Sequence, residues 1–425
     1  MWGEMNKVSI RFLVFLFVLS AVVISCSSAS PSTFADPTGT PTEPQATITP
    51  AMTITATPVP RMYAKSVSAG LSRSCAVTLE GGVYCWGLSA LQKPDDMGQI
   101  SLVPVYITGF EGIEISSISC ADTFACALTS SGGVKCWGGN FYGTLGDDRA
   151  SGIVSNFPVD AKGLSSGVVK VATGMSHACA LLATGKVMCW GDCTSGQCGN
   201  SSYLHSYAPS EVVGLSGAVD LDVGDEFSCV VTENGGLKCW GFLDDGSILG
   251  SGVPGHANSY WEPIDVKGMS SGARAVTIGH RFSCALLEDG SVKCWGYNYS
   301  RILGDGTEID SSIPVDVIGL DLPVVTISAN GTSVCALMVD GTLKCWGQNF
   351  SKHQSDESVF LTPTLITGFE KKVLSVSVGE DHGCVILEGH SVVCWGYNYY
   401  GQIGGGKDEI KSPPTYVVCP TCKQT

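Results

Sequence analysis

The sequence predicts an all-β fold, a seven-bladed β-propeller closed by a C-terminal strand and preceded by a disordered N-terminal tether. Three observations carry that reading. One thirteen-residue figure, two cysteines ten apart with Trp-Gly after the second, occurs seven times. It pairs Cys75 with Cys85, Cys126 with Cys136, Cys179 with Cys189, and Cys229 with Cys239. It goes on to pair Cys284 with Cys294, Cys335 with Cys345, and Cys384 with Cys394. The first members recur every 49 to 55 residues, which marks a repeat array. Glycine is abundant at 53 residues, charged residues are sparse at 15%, and long amphipathic helical patterns are missing. Many short strands joined by tight turns follow from that profile.

Each figure reads as a β-hairpin. In the copy from Cys284 to Gly296 the midpoint of the two cysteines is Asp289, so a loop of Glu288-Asp289-Gly290 sets Cys284 opposite Cys294. The last residue of such a loop adopts a left-handed conformation, which favours glycine. Gly81, Gly132, Gly185, Gly235, Gly290 and Gly341 hold that slot, and His390 takes it in the seventh copy. Opposed residues in an antiparallel pair come within the Cα separation that a disulfide tolerates. In an exported chain the oxidised pairs are the expectation. Reduced core thiols are the alternative; zinc fits less well, because the pairs lack close CxxC and His spacing.

Outside the hairpins, Cys193 and Cys198 flank a tight loop and are expected to pair. Cys419 and Cys422 form CPTC, read as a structural bridge because no thioredoxin-like βαβ context surrounds it. Cys120 is left over, at a position where other repeats carry small residues, and is expected to be a buried free thiol.

Two further strands accompany each hairpin. One is apolar and ends in Gly or Asn, as in AVTIG and SVSVG; the other contains proline, as in VPVYITGF and IPVDVIGL. Four short strands per repeat, apolar on both faces, suit propeller blades packed between neighbours. Six proline-containing strands lie between the seven hairpins, and one more, SPPTYVV (Ser412 to Val418), ends the array. The count predicts that this last strand completes the first blade, leaving no free sheet edge.

The propeller is expected over residues 61–425. Residues 1–26 read as a lipoprotein-type signal peptide. Lys7 and Arg11 precede an apolar run from Phe12 to Ile24, too short for a comfortable span. The run ends in Val23-Ile24-Ser25-Cys26, which resembles a bacterial lipobox and makes Cys26 the expected lipidation site. In residues 27–60, twenty of 34 positions are Ser, Thr or Pro, the composition of a disordered tether. The expectation is a monomer exported to a bacterial cell envelope. It is lipid-anchored to the cell membrane or outer membrane, touches the membrane through that anchor only, and faces away from the cytoplasm.

The stretches GMSHACALLATGKVMCWG (Gly174 to Gly191) and WGYNYYGQIGGG (Trp395 to Gly406) resemble the regulator of chromosome condensation repeat. The resemblance spans about residues 66 to 418 and implies a seven-bladed β-propeller; the added cysteine pair looks like the secreted bacterial branch of that family. Nuclear members of the family act on a small GTPase and on chromatin. Secreted bacterial relatives use the fold to bind proteins, β-lactamases among them. A net charge of -15 argues against nucleic acid held through its phosphates.

The seven histidines are dispersed. His177 and His382 fall at the histidine position of the repeat and read as structural; His205, His256, His280, His353 and His390 lie in loops or turns. No nucleophile–base constellation emerges, so no catalytic residue, cofactor or metal is assigned. The acidic run from Asp305 to Asp310 lacks the alternation of a calcium loop. Aromatic clusters at Asn140-Phe-Tyr142, Tyr297-Asn-Tyr299, Asn349-Phe350 and Tyr397-Asn-Tyr-Tyr400 share one phase and read as repeat packing. The loop after Trp240 departs most from the repeat. It carries His256, Tyr260 and Trp261, the candidate binding residues for an unknown protein or glycan. A noncatalytic protein-binding or other macromolecule-binding module is the leading reading. An envelope- or extracellular-acting propeller enzyme, a hydrolase or lyase on carbohydrate or peptide, is the alternative, and a structural envelope component the third.

Overall fold

A computed structural model describes residues 60–88, 99–149, 152, 154–242, 248–252, 259–348 and 359–422. The signal segment with Cys26, residues 27–59 of the tether, and His256, His353, Asn349 and Phe350 lie outside the described residues. Among the described residues every regular element is a strand. Twenty-eight strands form seven four-stranded antiparallel sheets. The first blade runs β1 (Ala64–Ala69), β2 (Arg73–Thr78), β3 (Val83–Leu88) and β4 (Ile100–Tyr106), from the central channel outward. The innermost strand of the second blade is β5 (Ile115–Cys120).

The hairpin register is the one the cysteine spacing implies. Cys75 faces Cys85, Cys126 faces Cys136, Cys179 faces Cys189, and Cys229 faces Cys239. In the last three blades Cys284 faces Cys294, Cys335 faces Cys345, and Cys384 faces Cys394. All seven pairs are cross-strand disulfides with Cα separations of 4.0 to 4.1 Å, so the oxidised alternative holds over reduced core thiols. In the seventh hairpin His390 adopts φ 68°, doing with a side chain what glycine does elsewhere.

Trp-Gly explains itself in the packing. Gly87 has φ 99°, and a Cβ there would sit 2.6 Å from the Ser72 carbonyl oxygen. The glycine bulges the strand so that Trp86 turns into the gap toward the preceding blade. Its Nε1 donates to Gln402 O at 2.8 Å. Trp190, Trp240 and Trp346 repeat the bond to Thr144, Gln197 and Ile302 of the blade before.

A second chain of bonds runs around the channel. Ser68, Ser119, Asp222, Thr277, Ser328 and Ser377 each accept a backbone N–H from the next inner strand, at 2.8 to 3.1 Å. The bond from Ala69 N–H to Ser377 Oγ joins blade one to blade seven, so the ring is closed. Ala172 leaves the one position of that series without an acceptor, and there Lys170 Nζ reaches Asp220 Oδ1 of the fourth blade at 2.7 Å.

One expectation about closure is corrected. The C-terminal strand, Lys411–Tyr416, does not complete the first blade: it pairs with Val392–Tyr397 of its own hairpin. Blade one already has β4 as its outer strand. Each proline-containing strand follows its hairpin, and a short connection favours the adjacent free edge. The C-terminal chain closes the ring just beyond that strand. Met62 N–H donates to Val417 O and Cys419 N–H to Pro60 O, both at 2.9 Å. Cys419–Cys422 is disulfide-bonded beside this strap.

Candidate protein-binding face

Strand alternation puts the connections after the innermost strands on the same face as the loops after Trp-Gly; the hairpin turns lie on the opposite face. The two loop sets touch. Leu88 N–H donates to Ser72 O, Asp192 to Ser176 O, Phe242 to Glu226 O and Tyr297 to Arg281 O.

The outer loops have an internal clamp. Asn140, Asn298 and Asn398 are buried, and each side-chain oxygen accepts the backbone N–H five residues on, from Leu145, Leu303 and Ile403, at 3.0 to 3.1 Å. In the third blade these two positions are Cys193 and Cys198, and they are joined by a disulfide. Gln197, inside that covalent loop, supplies the carbonyl that takes both Trp240 Nε1 and Ser228 Oγ.

The braced loop goes on to Tyr203-Leu204-His205. Asn200 and Ser202 side chains accept the backbone N–H groups of Ser202 and Leu204. Tyr203 is 70% and Leu204 74% exposed. Tyr203 packs against Trp261 with ring centroids 4.1 Å apart and the rings tilted by 47°, and Tyr142 meets His205 at 4.9 Å. His205 Nδ1 lies 3.2 Å from Asp192 Oδ1, and Ser201 Oγ donates to Glu262 at 3.0 Å. Ring contacts thus tie blades two and four to the braced loop of blade three, with Tyr142, Tyr203 and Leu204 exposed and His205 and Trp261 half-buried.

The structure places Tyr260 and Trp261 at the start of an outer strand, Tyr260–Asp265, and not in a loop. Sequence reasoning attaches Trp261 to His256; its partner here is Tyr203. Tyr203 and Leu204 escape that reasoning because their segment has no counterpart in the other repeats. The pair of cysteines replacing Asn and Leu is the available signal. Packing is also too simple a reading for the aromatic clusters: the asparagines are buried, while Tyr142, Tyr299 and Tyr399 are exposed.

Around the channel mouth the face is acidic. His280 Nδ1 pairs with Asp225 Oδ2 at 2.5 Å, and this hydrogen bond holds the imidazole above its ordinary pKa. Burial, reinforced by carboxylate neighbours, raises Glu226 and Glu380, and burial raises Asp381. His177 and His382 are buried structural groups, with Nε2 2.9 Å from Ser228 Oγ and 2.7 Å from Ser74 Oγ of the next blade. Burial lowers them to about 4 and about 3. The acidic run is spent internally: Asp310 accepts the Asn298 N–H, Asp305 that of Thr307, and Glu308 pairs with Arg301.

Family models described as regulator of chromosome condensation (RCC1) repeat match residues 64–90, 115–144, 168–197, 218–252, 273–301 and 373–402, and a second model of that description matches 289–337. The chain belongs to the RCC1-repeat family, and its seven-bladed propeller is the architecture of that class. The ultraviolet-B receptor of Arabidopsis thaliana is 27% identical over 288 residues, 67% of this chain and 64% of the receptor. The secretion-regulating guanine nucleotide exchange factor of Bos taurus is 25% identical over 264 residues, 60% of this chain and 48% of that protein. The chain therefore spans less than two thirds of the length of these relatives. Yeast RCC1 (Prp20), in a structure with Kap60 bound, superposes with a TM-score of 0.68 at 19% identity, covering 88% of this chain and 91% of its own. Human WBSCR16 superposes with a TM-score of 0.68 at 21% identity, covering 80% and 95%. An RCC1-like propeller fits a protein-binding or regulatory module.

Proposed function

We propose that this protein is a noncatalytic protein-binding module, exported and held at a bacterial cell envelope by a lipid on Cys26. The observation that carries the binding function is the exposed pair Tyr203 and Leu204, on a loop braced by Cys193–Cys198, with Tyr203 packed against the half-buried Trp261 of the next blade. Exposed aromatics on a rigid frame bind at low entropic cost. The relative that was solved with Kap60 bound is a protein binder on the same fold. Export is supported by the apolar N-terminal run, the lipobox-like Val23 to Cys26, and the disulfide-paired hairpins.

The test compares three full-length proteins as bait in cross-linking against envelope extracts: wild type, Tyr203→Ala with Trp261→Ala, and Val339→Ala in a hairpin turn of the opposite face. A partner captured by wild type and Val339→Ala but lost with the aromatic pair supports the reading. Capture unchanged by the aromatic substitutions refutes this face. Fractionation of Cys26→Ser tests the anchor separately; the protein should leave the membrane fraction or stay unprocessed.

A further inference from the structure

Cys120 is the free cysteine among the described residues, and it is not isolated. It ends β5, on the wall of the central channel. Its Sγ lies 3.5 Å from Sγ of Cys75, which is bonded to Cys85 in the first blade. All three sulfurs are buried. In the other blades the residue matching Cys120 has no thiol: Ala69, Thr173, Val223, Ile278, Ala329 and Val378 stand there. Among the described residues, this strand position carries a third sulfur against a hairpin disulfide between blades one and two.

A second observation concerns charge. Arg73 begins β2 where the other blades carry Phe, His or, in blade six, Ser333, and it is 2% exposed. Its Nε donates to Ala121 O at 3.1 Å, and its Nη2 is buried without a hydrogen-bonding partner. A guanidinium buried with an unused donor favours an anion beside it. Burial pushes the Cys120 thiol up, Arg73 acts in the opposite direction, and Asp122 adds to the rise. Ser72 Oγ donates to that Asp122 carboxylate at 2.6 Å.

We propose that Cys120, Cys75 and Cys85 form an internal thiol–disulfide exchange site that moves one covalent link from within blade one to between blades one and two. Cys120, as thiolate beside Arg73, attacks Cys75 Sγ; the Cys120–Cys75 bond forms and the Cys75–Cys85 bond breaks. Cys85 leaves with the electron pair and takes up the proton that Cys120 gave. One disulfide and one thiol enter and leave, so no external oxidant or reductant takes part. The product staples β2 to β5 and transfers the free thiol from the channel wall to the hairpin.

The test uses the full chain in detergent, held at mildly alkaline pH without added thiol, quenched in acid, alkylated with N-ethylmaleimide in denaturant and peptide-mapped without reduction. The expected result is a shift of label from Cys120 to Cys85, matched by a Cys75–Cys120 cross-linked peptide. Label on Cys120 alone after prolonged incubation overturns the proposal. Cys85→Ser, oxidised with a small disulfide such as oxidised glutathione, should close Cys75 to Cys120 and lose both free thiols. If it folds and both thiols remain, the proposed geometry is wrong.

Discussion

The outer loop of blade three and that of blade five solve one problem with different chemistry. Both must present a backbone carbonyl to the tryptophan of the next blade, Gln197 to Trp240 and Ile302 to Trp346. Blade five holds its loop with Asn298, whose oxygen takes the Leu303 N–H while its nitrogen donates to the Thr307 and Ile309 carbonyls. Blade three ties the same two positions with Cys193–Cys198. The asparagine is occupied on all sides by its own loop. The disulfide needs no such wrapping, and the chain beyond it is free to carry Tyr203 and Leu204 outward.

The largest effect separating these blades is set by pH. His177 underlies the blade-three loop, where blade five has Phe282. Its pKa is lowered from 6.5 to about 4, so its contribution is complete above the unfolded value and is lost as pH falls through about 4. That loss is on the order of 3 kcal/mol for a shift of this size. His177→Phe should flatten the acid limb of urea midpoints measured between neutral pH and pH 4; an unchanged limb would show that another group controls it.

Asn298→Ala comes next, at about 2–3 kcal/mol, because it strands buried backbone groups. Chemical denaturation should register the loss, together with faster exchange of the Leu303 amide. Cys193→Ser with Cys198→Ser should cost about 2 kcal/mol from the small covalent loop, and should weaken the Trp240 contact, read by its fluorescence. The smallest effect is the sharpest test. Cys193→Asn with Cys198→Leu installs the blade-five clamp and should stay within about 1 kcal/mol of wild type while becoming insensitive to reductant at this loop. A loss as large as that of the serine pair would show that the two clamps are not interchangeable.

Much of this was legible in the sequence because side-chain needs leave a periodic trace. The ten-residue cysteine spacing set the hairpin register, and the left-handed slot filled by Gly81 through Gly341 confirmed it. The phase of the outer strands was not legible. A proline strand before or after each hairpin gives the same alternation along the chain, so Ser412 to Val418 could be assigned to either end of the ring. The face was half legible. Trp261 stood out as a tryptophan outside Trp-Gly, whereas its contact with Tyr203 depends on two outer segments from neighbouring blades, which periodicity does not report.

The junction between blades seven and one uses the same contacts as the junctions inside the chain: a tryptophan to a carbonyl, and a hydroxyl to an inner-strand amide. Each of these bonds points the same way round at the closing junction as inside the chain, and the interruptions of the two series, at Ala172 and at Trp295, fall elsewhere in the ring. The positions of the chain ends are then a matter of covalent history more than of folding. A circular permutant joined from Cys422 to Pro60 by a short linker and opened in the connection between blades five and six should assemble the same ring. Its new ends would meet across the junction that Thr277 and Ala329 already tie.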